Sequence, residues 1–178
     1  MERVEVRTAV EQDAAAIAEI YNEGIRGRGA TFETRERTVD EVRAWFRRER
    51  HPLLVAEMGG AVVGWVAASE YRPRDCYAGV AEFSVYVAGR ARRRGVGDAL
   101  MRAFVPALEA AGFWKVLSRI FPENAASLAL CARHGFRVVG TYRRHGRLDG
   151  AWRDTVIVER LLGPAEEQED EDLDRPSR

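Results

Sequence analysis

A short, basic and glycine-rich segment is the part of this sequence best suited to hold a charged ligand. It is RRRGVG at residues 92–97, three arginines followed by two glycines around a valine. Before it, Phe83, Val85 and Val87 alternate with the period of a strand, and from Val96 onward apolar residues recur at helical spacing. A glycine loop that opens a helix directs main-chain N–H groups outward at the positive end of the helix dipole. Such loops bind anions, most often phosphate.

Two common phosphate-binding signatures are absent from this segment. It has neither the GxxxxGK[ST] of nucleoside-triphosphate loops nor the GxGxxG of dinucleotide-binding domains. It does match [RQ]xxGx[GA], and with SVYV at 84–87 shortly before it, the sequence resembles the GCN5-related N-acetyltransferases. In that family this loop holds the pyrophosphate of acetyl-coenzyme A, and the strand before it pairs with the pantetheine arm. The alternative is an arginine-rich surface turn ahead of a core helix.

Within that superfamily the sequence is most similar to phosphinothricin N-acetyltransferases and their arsinothricin-resistance relatives. The shared marks are scattered from end to end: IYN at 20–22, ATFE at 30–33, YRPR at 71–74, AEFSVYV at 81–87 and PEN at 122–124. RIFPEN at 119–124 and RHGRLDG at 144–150 favour the arsinothricin branch. The resemblance implies an enzyme that moves acetyl from acetyl-coenzyme A to the α-amino group of a small anionic amino acid, without a metal.

The resemblance also implies the cofactor-binding residues. Main-chain groups of the signature strand would hold the pantetheine amides, because a strand edge offers unpaired N–H and C=O groups. Asn124 would contact the cofactor arm, although it also suits a plain helix cap. The full predicted set is Val85, Tyr86, Val87, Arg93, Arg94, Gly95, Val96, Gly97, Asp98 and Asn124.

Acetyl transfer to an amine needs a proton acceptor and donors for an oxyanion. A free α-amino group has a pKa of about 8 and must lose a proton before it attacks. Glu82 occupies the position that resembling enzymes use for this base, although it could also be an exposed strand carboxylate paired with an arginine. The amide of Val85 is the candidate oxyanion donor.

The predicted proton donor to the leaving thiolate departs from the usual pattern. Related enzymes often place tyrosine or histidine four residues before the Gly-Phe pair that follows the last helix, and here that residue is Cys131. A thiol with a pKa of about 8.5 could donate a proton, but Cys131 also suits a packed core position. His134 and His145 are alternative donors, and the thiolate could leave without one.

The acceptor would carry a carboxylate and a second anionic group, which arginine binds bidentately. Arg72 and Arg74 lie in the segment that forms the substrate loop of the resembling family, Tyr77 follows them, and Phe32 could form a wall of the pocket. The alternative is that both arginines are solvated surface charges.

The elements that must position these residues follow from hydrophobic periodicity. The predicted order is βααβββαβαββ, with a first helix that ends at Gly24 and a second that begins with a capping box from Thr38 to Glu41. This order predicts an α+β fold with a mixed, mostly antiparallel sheet flanked by helices. We expect one catalytic domain over residues 1–162 and an acidic, disordered tail over 163–178.

Composition limits the other possibilities. The 178 residues include 46% hydrophobic residues, enough for one core, and no apolar run long enough to span a membrane. The tail holds seven acids and two arginines, so residues 1–162 have 21 acids and 26 bases, a surplus that suits an anionic ligand better than nucleic acid. Two distant cysteines and no apolar signal segment predict a cytoplasmic protein. The resemblance implies a homodimer.

Other functions remain open at this point. The same reaction could act on methionine sulfone, methionine sulfoximine or a polyamine, although the arginine loop disfavours cationic acceptors. A non-catalytic acyl-coenzyme A sensor would keep the cofactor loop without turnover, and Cys131 is the feature in its favour. A basic run at residues 90–94 could bind nucleic acid, but no basic aromatic surface pattern accompanies it.

Overall fold

A seven-stranded sheet forms the centre of the protein. The structure is a computed structural model that describes residues 2–173, with side chains through residue 168. The strand order is β1-β2-β3-β4-β5-β7-β6, and every neighbouring pair is antiparallel except β4 and β5. The strands are β1 (Glu5–Thr8), β2 (Leu53–Met58), β3 (Ala61–Glu70), β4 (Val80–Val87), β5 (Lys115–Ile120), β6 (Arg137–Leu148) and β7 (Ala151–Leu161). The predicted mixed, mostly antiparallel sheet is confirmed.

Helices pack on both faces of this sheet. They are α1 (Ala14–Arg26), α2 (Val39–Arg43), α3 (Val96–Ala110), α4 (Ala125–Arg133) and α5 (Pro164–Leu173). On one face, α3 and α4 bury Phe104 and Leu130 in a core that includes Phe83 of β4. On the other face, α1 and α2 pack against Trp65 of β3 and Tyr86 of β4. Strand β4 therefore lies at the centre of both layers, with its side chains alternating between them.

One expectation about a helix boundary was wrong. Helix α1 does not end at Gly24 but continues to Arg26. A Cβ at position 24 would lie 2.5 Å from Cε1 of Tyr86, so the glycine allows α1 to pack closely on β4 rather than terminating the helix.

Within the described residues, no helix has the length and apolar character needed to cross a bilayer.

The start of the acidic tail is helical rather than disordered, as α5 shows. Pro164 occupies its first helical position, where the fixed φ of proline suits a helix and no hydrogen bond is lost. Glu166 and Glu167 lie in its first turn and complement the helix dipole. The predicted tail beyond residue 173 lies outside the described residues. The division of the chain at residue 162 stays a prediction.

Candidate active site

The loop between β4 and α3 presents its main chain outward. Arg93 and Gly95 have φ angles of 58° and 79°, both in the left-handed region, and Gly95 is the N-cap of α3. No hydrogen-bond acceptor among residues 2–173 pairs with the main-chain N–H groups of residues 93–98. These N–H groups lie at the positive end of a 15-residue helix. The geometry is that of an anion-binding nest.

Neighbouring elements hold the side chains of this loop in place. Asp98 accepts hydrogen bonds from Arg133 at 3.0 and 3.1 Å and lies 3.1 Å from Nε2 of His134. Hydrogen bonding to Arg133, and then to His134, lowers the pKa of the Asp98 carboxyl. A Cβ on Gly97 would approach Leu130 to 3.1 Å, so this glycine allows α4 to pack close to the N-terminus of α3. The carboxylate of Asp98 is thus used within the protein, and only its N–H faces the nest.

Beside the nest, strands β4 and β5 separate and leave an open edge. Their parallel ladder covers only Val80 to Glu82 of β4, and at its end Ser118 Oγ donates to the Phe83 carbonyl at 2.9 Å. The Ala88 N–H donates to β3 at 2.9 Å. Because the two sides of a strand alternate, the N–H and C=O groups of Val85 and Val87 point away from β3 into this gap.

Tyr86 faces the opposite way from its two neighbours. Its main-chain groups belong to the β3 side of the ladder, opposite Trp65, and its ring stacks on Trp65 with 4.9 Å between centroids. Burial raises the pKa of its hydroxyl. The geometry therefore does not support the predicted cofactor contact of Tyr86 and gives it a packing role.

Asn124 caps α4 beside the open edge. Its Oδ1 accepts from the Ser127 N–H at 3.2 Å, which is the cap that the sequence allowed. Its Nδ2 has no acceptor among the described side chains and main-chain groups, so one end of the amide stays available to a ligand. Both sequence interpretations of Asn124 are compatible with this geometry.

Glu82 lies at the last paired residue before the strands separate. Its side chain is 20% exposed, and its Oε2 accepts a hydrogen bond from Nη2 of Arg119 at 2.5 Å. The partner of Glu82 across the parallel ladder is Leu117, so Arg119 two residues later projects from the same face of the sheet. The predicted base is therefore next to the open edge, and it is also paired with an arginine.

Cys131 lies in the hydrophobic core under α4. The residue is 1% exposed and packs among apolar side chains of the α3 layer. Desolvation raises the pKa of its thiol to about 11. These surroundings favour the packed-core interpretation over the predicted donor role. His134 is engaged with Asp98, while the ring of His145 stacks on Tyr142 of β6 at 4.6 Å.

The segment between α1 and α2 packs against the end of β5 and against β6. Phe32 packs edge-to-face on Phe121 at 4.8 Å, and a Cβ on Gly146 would lie 2.6 Å from the Phe32 ring. Buried Asn22 fixes the far end of the segment, since it donates to the Arg37 carbonyl at 2.9 Å and accepts from the Arg37 N–H at 2.7 Å. Phe32 thus lies against the end of β5, as a pocket wall should.

The arginines of the β3–β4 loop lie at the end of the sheet where β4 begins. Cζ of Arg72 lies 5.3 Å from the centroid of the Tyr71 ring, and Cζ of Arg74 lies 5.7 Å from the centroid of the Tyr77 ring. Both arginine side chains are exposed, and neither forms an ion pair with an acid among the described residues. The structure does not bring them into contact with Glu82 or Phe32. Their charges remain free to meet an anion that enters from this side.

Sequence reasoning missed two residues of the site, Arg119 and Asn22. In the sequence Arg119 stands out only as part of a shared motif, because its proximity to Glu82 depends on the register of two parallel strands. Asn22 also stands in a shared motif, and its signal in the sequence is that of a polar residue on the buried face of an amphipathic helix. Among the described residues, no group of three acidic, histidine or cysteine side chains could hold a metal ion.

Comparison with known sequences gives one family match and several relatives. The model of the acetyltransferase (GNAT) family matches residues 14–136. A phosphinothricin N-acetyltransferase of Streptomyces coelicolor is 37% identical over 167 residues, which cover 89% of this chain and 96% of the relative. An L-methionine sulfoximine/L-methionine sulfone acetyltransferase of Pseudomonas aeruginosa is 31% identical over 163 residues, which cover 89% of this chain and 95% of the relative.

Solved structures show the same architecture. A phosphinothricin acetyltransferase from Sinorhizobium meliloti in complex with acetyl-CoA superposes with a TM-score of 0.86 at 31% identity, covering 98% of this chain and 94% of that one. The yncA protein of Salmonella typhimurium, also solved with acetyl-CoA, has a TM-score of 0.86 at 29% identity, with 90% and 95% covered. The predicted acyl-CoA N-acyltransferase fold is confirmed.

Proposed function

Because this chain belongs to the acetyltransferase (GNAT) family and is an acetyl-CoA-dependent N-acetyltransferase, we propose that it acetylates the α-amino group of a small anionic amino acid such as phosphinothricin or arsinothricin. The product would be a neutralised toxin, so the biological role would be resistance or detoxification. The observation that carries the proposal is the position of Glu82, at the point where β4 parts from β5. The names of the relatives from Streptomyces support this acceptor class.

The open edge and the nest together fit acetyl-coenzyme A. Main-chain N–H groups of residues 93–98 would bind the pyrophosphate, and the free main-chain groups of Val85 and Val87 would pair with the pantetheine amides. The free Nδ2 of Asn124 would contact the same arm. This binding directs the thioester along β4 toward Glu82. Bound acetyl-coenzyme A supplies an activated acyl group, and the remaining chemistry falls to the protein.

Glu82 would start the reaction by taking a proton from the ammonium group of the acceptor, directly or through water. The freed nitrogen lone pair attacks the thioester carbon, and the carbonyl oxygen becomes an oxyanion that the Val85 N–H is oriented to stabilise. Collapse breaks the C–S bond, and the nitrogen, which carries an extra proton after attack, releases that proton to solvent, so that a neutral amide is formed. The thiolate leaves with a proton from solvent, since the buried Cys131 is poorly placed to give one.

The acceptor would be recognised by charge and by an aromatic wall. Arg72 and Arg74, whose guanidinium groups form no ion pair among the described residues, would lie at the mouth of the site with Tyr77 beside them. Each could bind a carboxylate or phosphinate bidentately. Phe32 would contact the aliphatic part of the amino acid. Methionine sulfoximine and methionine sulfone form a second acceptor class, because a relative at 31% identity is named for them.

We also propose that the enzyme is a homodimer of catalytic domains spanning residues 1–162 that works in the cytoplasm. Strand β6 is an edge strand, and its Val138, Val139 and Tyr142 are 61%, 50% and 54% exposed, as is Trp152 of β7 at 57%. An exposed apolar edge of this kind is typical of a surface that another chain covers. Size-exclusion chromatography with light scattering tests this directly, and a monomer at micromolar concentration would contradict it.

The experiment that tests the function is thiol release from acetyl-coenzyme A in the presence of candidate acceptors. Phosphinothricin, arsinothricin, methionine sulfone and a polyamine should be compared at equal concentration. We expect the anionic amino acids to give the highest kcat/KM and the polyamine the lowest. Tight binding of coenzyme A without turnover on any amine would instead favour an acyl-coenzyme A sensor.

Variants of the loop arginines locate the acceptor site. Arg72→Ala and Arg74→Ala should each raise the acceptor KM and leave the KM for acetyl-coenzyme A unchanged. Arg102→Ala is a matched control, because Arg102 is an exposed arginine on α3 without an ion pair among the described residues. Equal effects on both KM values would mean that the loop does not contact the acceptor.

A further inference from the structure

Arg119 is the cation nearest to the proposed base, and most of its hydrogen-bonding capacity is unused. Its Nη2 donates to Glu82, while no acceptor among residues 2–173 pairs with its Nε or Nη1. The side chain is 49% exposed, so these donors are accessible. A guanidinium has five N–H donors in a rigid fork that matches a carboxylate. Arg119 can therefore keep its contact with Glu82 and donate hydrogen bonds to a second carboxylate.

The surroundings place this fork inside the acceptor pocket. Arg119 lies on β5 just beyond the end of the β4–β5 ladder, where the thioester would arrive. Phe121 projects from the same face two residues later and is 4% exposed, and the Phe32 ring packs edge-to-face against it. The residue opposite Arg119 on β7 is the uncharged Ile157. The acid nearest along β7, Glu159, lies opposite Leu117 and is paired with Lys115 and Arg137. The fork thus lies between the base and the aromatic wall.

A carboxylate base and a guanidinium side by side are complementary to an α-amino acid. In a zwitterionic amino acid the ammonium and the carboxylate are attached to one carbon, so a receptor must offer a negative and a positive group next to each other. Glu82 and Arg119 do so with 2.5 Å between Oε2 and Nη2. Charge-assisted hydrogen bonds are the strong ones at such a site.

Resting on the proposed function, we infer that Arg119 binds the α-carboxylate of the acceptor and thereby places its amino group on Glu82. The loop arginines Arg72 and Arg74 then remain for the distal anionic group. This assignment divides recognition between two places. The Glu82–Arg119 pair binds the α-amino and α-carboxylate groups of the acceptor, and the loop arginines bind its distal anionic group. It predicts selectivity for α-amino acids over simple amines.

Pairs of acceptors that differ only in the α-carboxylate test the inference. Methionine sulfone is compared with 3-(methylsulfonyl)propylamine, and phosphinothricin with its decarboxylated amine, by kcat/KM in the thiol-release assay. Wild-type enzyme should prefer the acid of each pair. Arg119→Ala should lower kcat/KM for the acid about 10- to 100-fold more than for the amine, as the loss of a charged hydrogen bond implies. Arg119→Lys should restore part of the preference.

Controls separate substrate binding from damage to the site. Arg102→Ala should leave kcat/KM unchanged for both the acid and the amine. Glu82→Gln should lower turnover but keep the preference for the acid. If Arg119→Ala lowers kcat/KM equally for the acid and the amine of a pair, Arg119 only positions Glu82 and the inference is wrong. A wild-type enzyme that uses the amine as well as the acid would also overturn it. Failure of wild type on every amino acid would overturn the proposed function, and is seen before any variant is made.

Discussion

Replacing Glu82 with glutamine removes one negative charge from the site and hardly changes the shape of the side chain. Glutamine can still meet the Arg119 guanidinium through its carbonyl oxygen, but it cannot take a proton from an ammonium group. Turnover then depends on the fraction of acceptor that is already neutral. The α-amino group of a peptide has a pKa of about 8, and the ammonium of a free amino acid is less acidic. The neutral fraction is therefore at most about one-tenth at pH 7, and it rises about tenfold with each pH unit below the pKa.

The size of the effect follows from these fractions. We expect Glu82→Gln to lower kcat at least about tenfold at pH 7, or about 1.4 kcal/mol of activation free energy, with a larger loss if proton transfer accompanies attack. The deficit relative to wild type should shrink about tenfold by pH 9. Stability should change by less than about 1 kcal/mol, because the Glu82–Arg119 pair is half exposed on the arginine side.

The assay is thiol release at saturating acetyl-coenzyme A from pH 6 to pH 9.5, with thermal unfolding measured on the same samples. Glu109→Gln is the matched control, since Glu109 is exposed near the opposite end of α3 from the nest. Turnover of Glu82→Gln within threefold of wild type at pH 7, or a deficit that does not change with pH, would refute the assignment of Glu82 as the base.

Three further predictions use other parts of the structure. Cys131→Ala should leave kcat within about twofold of wild type, because the thiol is buried with a pKa near 11; a loss of a hundredfold would restore the donor role. Gly24→Ala should destabilise the fold by about 1–3 kcal/mol in urea unfolding, since its Cβ would lie 2.5 Å from the Tyr86 ring; an unchanged midpoint would contradict this. Asp98 has a folded-state pKa lowered mainly by Arg133, so its contribution is present above its ordinary pKa of 3.8 and is lost as pH falls through the folded value. Asp98→Asn should therefore cost about 0.3–1 kcal/mol at pH 7, and equal stability of the two proteins at pH 7 would contradict it.

The parts of the site that depend on local pattern were predictable from sequence. The alternation around Val85, the glycines at 95 and 97 and the helical spacing after Val96 each act within a few residues. They placed strand, nest and helix correctly. The capping box from Thr38 to Glu41 was predictable for the same reason, and its reciprocal hydrogen bonds are present at 2.8 and 3.2 Å.

Features that depend on long-range packing were not predictable. Glu82 and Arg119 are 37 residues apart and meet only through the register of a parallel ladder. Gly24 resembles a helix stop, but the approach of Tyr86 determines its role, and that approach is not visible in local sequence. The alternation that identified β4 also could not tell which of its edges stays unpaired. For this reason the sequence predicts Tyr86 as a cofactor residue together with Val85 and Val87, although only these two neighbours face the gap.

A crystal structure of the protein with bound coenzyme A is the most direct test of the account. We predict electron density for the diphosphate within about 3 Å of the main-chain nitrogens of residues 93–98, with the pantetheine amides on the free groups of Val85 and Val87 and the thiol directed toward Glu82. Coenzyme A bound at another surface, or a loop whose nitrogens have turned inward onto protein acceptors, would contradict it.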